Sequence, residues 1–367
     1  MPVNRLASFE CLQSSVRQKL KLLPLALALA GCASAPPPAT PTSQAPEPVK
    51  TVPQPPDKTS AQQSLESMVA LQDRLYRIAA PLIVNNSDLC RSSARNLLGF
   101  TAKNKYSYSN EFVDASQKSF GLDDRLQINN VLPNSGAARA GLQRGDVLLG
   151  VADKPMPIGE NAEREATAVL APLVTGRSNV RLTVLRGGTQ RDLSVPLTYA
   201  CAYGIELGNT DNVVAYSDGH RVLISRGMLN ALASDDEVAY VIAKEMAHNS
   251  LSHPTRQRMS ATVGGIIDNL VRVHPDMSTM SGLAGVKPMP KELDATADKL
   301  SLYMLARAGY NVDNAPAFWT RFASQYPATT LNGYTALHPT TDYRVEAMNK
   351  TVKDIKAKQA AKKPLMP

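Results

Sequence analysis

Apolar residues recur at helical spacing between Ser60 and Ala80, where Leu65, Met68, Leu71, Leu75 and Ile78 share one face. The spacing predicts an amphipathic helix. Leu126 to Val131 alternates as a strand and runs into the turn residues Pro133-Asn134-Ser135-Gly136. Ala137 to Ala140 then gives one helical turn, stopped by Gly141, and Arg144-Gly145-Asp146 leads into a strand from Val147 to Val151. Asn161 to Leu173 reads as helix, and Val180 to Leu185 pairs with Arg191 to Leu197 around Gly187-Gly188 as a hairpin. Farther on, Ser234-Asp235-Asp236-Glu237 forms a capping box: the serine oxygen accepts from first-turn amides and Glu237 reaches back. The three acids suit the positive end of the helix that continues to Leu251.

Composition narrows the class. The 367 residues are 43% hydrophobic and 20% charged, enough for about two or three globular domains. A mean hydropathy of -0.20, with no apolar run near the ~20 residues that span a bilayer, excludes a polytopic membrane protein. Aromatic residues make up 5%, with Trp319 the sole tryptophan, which argues against a nucleic-acid reader built on stacked bases. The net charge of +8 falls to +5, 36 basic against 31 acidic residues, once residues 1–31 are set aside. Several remaining positives lie in the basic tail over 351–367, a solvated end.

The N-terminal stretch carries its own signals. Arg17, Lys19 and Lys21 precede a short apolar run from Leu22 to Ala30, the pattern of a secretory signal over 1–31. Leu29-Ala30-Gly31-Cys32 resembles a bacterial lipobox, and the resemblance implies that Cys32 is lipidated and anchors the chain in a membrane. Ala33 after it implies outer-membrane sorting. Residues 32–58, rich in Pro, Ala, Thr and Ser, read as an extended tether of ~3.1 Å per residue. Residues 59–90 follow as the amphipathic helix. In an exported chain the remaining cysteines, Cys90 and Cys201, read as a disulfide rather than a metal pair.

Between those cysteines, Ser135-Gly136-Ala137-Ala138-Arg139-Ala140-Gly141-Leu142 with Gly145-Asp146 resembles the core of a bacterial PDZ domain, covering residues 91–200. Such domains bind an extended peptide as an added strand and capture its carboxylate with loop amides. Two segments suit that loop, Leu97-Leu98-Gly99-Phe100 and Phe120-Gly121-Leu122, and the peptide-binding residues stay open.

Lys244-Glu245-Met246-Ala247-His248 places Lys244 and His248 four apart on one helix face with Glu245 alongside. A zinc hydrolase of the His-Glu-x-x-His type has two imidazoles at those positions and a glutamate that takes a proton from water. From Val213 to Ala347 the chain resembles the periplasmic zinc metallopeptidases of the HtpX/BepA/CAAX-protease type. Asn212 to Gly219 and Val222 to Leu229 look like the strand pair bordering their cleft. Asp294-Ala295-Thr296-Ala297-Asp298 resembles their Glu-x-x-Ala-Asp element, with Asp294 in the third-ligand position and Asp298 orienting a ligand. His338-Pro339 with Arg344 resembles their His-Pro-x-x-x-x-Arg element, whose histidine approaches the metal. The resemblance implies an α+β fold: a zincin-like helical peptidase domain over 201–350 with a small edge sheet, beside the PDZ β-sandwich or barrel-like domain.

Lysine is an ammonium at neutral pH, so position 244 has lost its ligand. Two arrangements are open. In one, Lys244 swings away and His248, Asp294 and His338 hold zinc, with Glu245 as base; three protein ligands plus water is the usual catalytic count. In the other, the ammonium takes the ion's place, paired with Asp294 or Glu245, and the protein binds envelope proteins or peptides without proteolysis. The second is the expectation taken forward, for a periplasm-facing outer-membrane lipoprotein with no nucleic-acid partner. His253 beside Pro254 is expected to cap the helix end, His220 to sit in a turn and His274 in a loop; Met259 to Met289 reads as adaptable core or lid.

Overall fold

The computed structural model describes residues 58–175, 177–253, 288–329 and 331–367, all within one compact unit, 56–367. The signal, Cys32, the tether up to residue 57, His274 and most of the methionine-rich stretch lie outside the described residues. Among the described residues no helix is long and apolar enough to cross a membrane.

Helix α1 (Ser60–Val84) starts at Thr59, whose side chain accepts from Gln62 N while Gln62 bonds back to the cap. It ends before residue 90, and it is not a separate element. Leu75, Ile78 and Leu82 belong to the same core as the helices that follow. Arg74 and Arg77 reach 3.0 and 2.7 Å to the two oxygens of Asp235.

After a short antiparallel pairing of β1 (Ala94–Leu97) with β8 (Thr198–Cys201), the intervening chain builds its own sheet. Strands β2 (Phe100–Lys103), β3 (Gln127–Val131), β4 (Val147–Val151), β6 (Asn179–Arg186) and β7 (Thr189–Pro196) lie in that order, with β5 (Lys154–Pro155) on β4. Alternate residues of β6, Val180, Leu182 and Val184, point inward. They meet Ile128, Leu148 and Val151, and Ala162, Ala166 and Leu170 of α4 (Ala162–Leu170), in a core separate from that of α1. Two residues fix the turn segment. Gly136, at the start of α3 (Gly136–Arg139), lies so close to β7 that a Cβ there would stand 1.7 Å from the Pro196 carbonyl oxygen. Buried Asp146 receives two hydrogen bonds from Arg186, each 2.6 Å, which pin the Arg144-Gly145-Asp146 turn to β6. Cys90 and Cys201 are joined, with Cα atoms 5.6 Å apart, where the sheet-forming segment leaves and rejoins the rest.

Of the two candidate carboxylate loops, Gly121 (φ +64°) is the left-handed cap of α2 (Val113–Phe120), whereas Gly99 (φ +82°) leads into β2, an edge strand.

The last third holds a three-stranded sheet in the order β10 (Ala215–Ser217), β11 (Arg221–Ser225), β9 (Gly204–Gly208). The expected second strand stops early: Ser225 accepts from Met228 N and caps α5 (Arg226–Ala231), so Arg226 to Leu229 is helix. Helix α6 (Asp235–Ser250) is buried at every residue from Val238 to Ser250, between the sheet and helices α1 and α7 (Lys291–Ala308). Glu237 reaches past its expected partner to Ala233 N (2.8 Å). Helices α8 (Ala315–Gln325), α9 (Gly333–Leu337) and α10 (Asp342–Ala360) complete the fold. The proposed boundary at 350/351 falls inside α10, because Met348, Val352 and Ile355 form one buried face.

Candidate metal centre

Three segments converge. Helix α6 supplies Lys244, Glu245 and His248; α7 supplies Asp294 and Asp298, one turn apart on one face; His338 closes α9, and Arg344 lies in the first turn of α10. All seven side chains are buried, none more than 4% exposed.

Asp294 Oδ1 is the hub. His338 Nδ1 lies 2.7 Å from it, His248 Nε2 3.2 Å and Lys244 Nζ 3.3 Å. Asp298 faces the two cations: Arg344 grips it with Nε and Nη2 at 2.7 and 3.0 Å, and Lys244 Nζ reaches its Oδ1 at 3.0 Å. Arg344 also donates to the carbonyls of His338 and Pro339, which fixes the loop that carries His338. Lys244 Nζ lies 5.1 Å from the centre of the Trp319 ring. The amine therefore pairs with Asp294 and Asp298; no ion pair links it to Glu245, which lies on the next face of the helix.

Glu245 is anchored through one oxygen. Ser217 donates to its Oε2 at 2.8 Å, while Oε1 stands 3.6 Å from His338 Nε2. His253 does not merely end the helix. It is buried, and its Nδ1 lies 2.9 Å from His248 Nδ1, so it holds the far side of that imidazole. When the proton of His248 sits on Nδ1 and is donated to His253, Nε2 is left as a lone-pair donor.

Burial pushes Glu245 above the usual carboxylate range. It pulls His248 and His338 below the ordinary imidazole value, so both rings are neutral near pH 7, the form that ligates metals. Burial also acts to raise Asp294 and Asp298, but Lys244 outweighs it, with His338 beside Asp294 and Arg344 beside Asp298, and both stay ionised.

His248, Asp294 and His338 bring one ligand atom each within 4.8 Å of one another. Glu245 Oε1, His248 Nε2, Asp294 Oδ2 and the Tyr334 hydroxyl make no hydrogen bond among the described residues, although ion-pair contacts reach the first three, from His338 Nε2 at 3.6 Å, Asp294 Oδ1 at 3.2 Å and Arg344 Nη1 at 3.5 Å. Two imidazoles and a carboxylate are donors that zinc accepts. The residues fit a divalent ion. Of the expected site, Lys244, Glu245, His248, Asp294, Asp298, His338 and Arg344 come together here; His220 is exposed. Sequence reasoning missed His253 as a support and Ser217 altogether. Ser217, one of three residues in β10, carried no motif signal.

Residues 198–352 match the model of peptidase family M48. Over 123 residues the chain is 31% identical to the mitochondrial metalloendopeptidase OMA1 of Arabidopsis thaliana, covering 32% of this chain and 25% of that protein. It is 29% identical over 130 residues to a putative beta-barrel assembly-enhancing protease of Vibrio cholerae, covering 31% and 27%. The chain thus spans about a quarter of the length of these two relatives. Among solved structures, the HtrA-type protease AlgW with decapeptide matches at 23% identity and a TM-score of 0.22, over 29% of this chain and 30% of that one. Residues 198–352, which carry all seven site residues, are thus similar to a metallopeptidase family.

Proposed function

We propose that this chain is a metallopeptidase of the bacterial envelope whose zinc is held by His248, Asp294 and His338, with Glu245 as general base. The observation that carries this reading is the convergence of His248, Asp294 and His338, one ligand atom each within 4.8 Å of one another, beside Glu245. Lys244 Nζ is drawn to Asp298 Oδ1 at 3.0 Å, beyond that cluster, and stands 3.3 Å from Asp294 Oδ1. Bound zinc supplies Lewis acidity, polarising a peptide carbonyl and acidifying water.

The protein's own groups divide the remaining work. Ser217 fixes Glu245 Oε2, which leaves Oε1 to take a proton from the attacking water and pass it to the departing amine. His253 sets the tautomer of His248, and His338 bonds Asp294 through Nδ1. Lys244 lowers metal affinity without filling the site. The PDZ-like domain, with edge strand β2 following Gly99, receives extended segments of envelope proteins. The lipobox-like Cys32 and the name of the Vibrio cholerae relative support an outer-membrane lipoprotein facing the periplasm.

A second reading has one observation in its favour. Lys244 Nζ already stands 3.3 Å from Asp294 Oδ1, neutralising a ligand, and this suits a peptide-binding protein without hydrolysis. Zinc analysis separates the two. The purified protein should take up about one equivalent of zinc at micromolar free metal and cleave casein, and Glu245→Gln should abolish cleavage while keeping the metal. No zinc uptake, with peptide capture intact, assigns the second reading.

A further inference from the structure

We propose that the Tyr334 hydroxyl is a catalytic hydrogen-bond donor, stabilising the oxyanion that develops on the scissile carbonyl oxygen; this rests on the hydrolytic reading above. Tyr334 lies in α9, four residues before His338, and is 1% exposed. Its ring centre is 4.9 Å from that of His338, and it stacks on Trp319 at 5.8 Å. Its hydroxyl oxygen has no hydrogen-bond partner among the described residues. A buried hydroxyl left this way costs roughly 1–3 kcal/mol, so the fold gains nothing from it that phenylalanine would not give.

Among the described residues, three other donors of the pocket are committed. Arg344 is spent on Asp298 and two carbonyls, Lys244 on Asp298 and Asp294, Ser217 on Glu245. A tyrosine hydroxyl carries its proton throughout the neutral range, which makes it a donor there. The ring contact with His338 sets Tyr334 against the same pocket. In the reaction, water oxygen bonds to the carbonyl carbon, its proton goes to Glu245, and the carbonyl π pair moves onto oxygen. Tyr334 donates a hydrogen bond to that oxygen and transfers no proton. The C–N bond then breaks as Glu245 returns the proton to the amine.

The test is Tyr334→Phe in the full chain, with labelled casein as substrate. We expect kcat to fall about 10²–10³-fold, the usual effect of removing one oxyanion donor, with KM and zinc content unchanged. The thermal midpoint should hold or rise, whereas a packing role would lower it and spare kcat. Affinity for a phosphinic peptide, whose tetrahedral oxygen mimics the oxyanion, should fall while affinity for the matching amide peptide does not. A zinc-loaded parent that cleaves through Glu245, beside a variant whose kcat stays within threefold, overturns this inference alone. A parent with neither zinc nor cleavage overturns the hydrolytic reading, and this inference with it.

Discussion

Replacing Lys244 by methionine removes a charge while keeping the length and helix preference of the side chain. In the pocket Lys244 and Arg344 pair with Asp294 and Asp298. With methionine only Arg344 remains against the acids, and stripping one partner from a buried pair typically costs about 3–5 kcal/mol. The cost should sit at the lower end, because Arg344 still grips Asp298 through two nitrogens and His338 still bonds Asp294. Zinc binding should move the other way. Lys244 Nζ is 3.3 Å from Asp294 Oδ1, so an ion on that oxygen would stand about 5 Å from the amine. At that separation and an effective dielectric of ~20, the repulsion from a divalent ion is about 6 kcal/mol. If relaxation absorbs half, the remaining ~3 kcal/mol is still about a hundredfold in affinity. Competition with a chromophoric chelator measures this, and the emission of Trp319, the sole tryptophan, reports it locally. A zinc affinity in Lys244→Met within threefold of the parent would refute the claim that this amine lies in the field of the centre.

Reducing the Cys90–Cys201 bond releases a loop of 111 residues. The chain-entropy relation gives roughly 5 kcal/mol, so the denaturant midpoint of the reduced protein should drop clearly; coincident oxidised and reduced curves would contradict it. Gly136→Ala forces a methyl to within 1.7 Å of the Pro196 carbonyl oxygen. It should destabilise by about 3 kcal/mol or more, read as lost hydrogen-exchange protection in β6 and β7 before the helical core. Ser217→Ala removes the hydroxyl that holds Glu245 Oε2. A hydrogen bond to a charged group is worth about 1.5–3 kcal/mol, so casein cleavage should fall by about ten- to a hundredfold with zinc retained.

Much of this architecture was legible because local and tertiary signals agree. Alternation gave the β6–β7 hairpin to within a residue or two, and its turn lies at Gly187-Gly188. The Ser234 cap located the start of α6. The interior of that helix carries no amphipathic pattern, since all its faces meet protein. The apolar run after Arg221 hid the end of β11, because Ser225 acts as both strand residue and helix cap. In the site, Asp294 and Asp298 were recognisable through their resemblance to a Glu-x-x-Ala-Asp element. The partners of Lys244 were only half legible: Asp294 or Glu245 was expected, Asp294 is one partner, and Glu245, its chain neighbour, points about 100° away, leaving Asp298 as the second acid. The His248–His253 contact depends on how the chain leaves the helix, which spacing alone does not encode.

The two departures from the motifs this chain resembles, lysine for histidine at 244 and aspartate for glutamate at 294, have one geometric explanation. A lysine at 244 reaches across to α7, where its nitrogen ends 3.3 Å from Asp294 and 3.0 Å from Asp298. A carboxylate one methylene longer at 294 would extend into the same buried space. The shorter acid leaves room for the amine and still touches His248 and His338. Each reversal alone should therefore be poorly tolerated: Lys244→His leaves Asp298 short of a cation, and Asp294→Glu crowds the amine. Together, Lys244→His with Asp294→Glu should restore a conventional ligand set, with zinc affinity and casein cleavage above those expected from the single variants. Residues in direct contact give couplings of about 0.5–3 kcal/mol in such a cycle. Strict additivity of the two changes in zinc affinity would mean that they act independently and that the amine does not set the length of the acid.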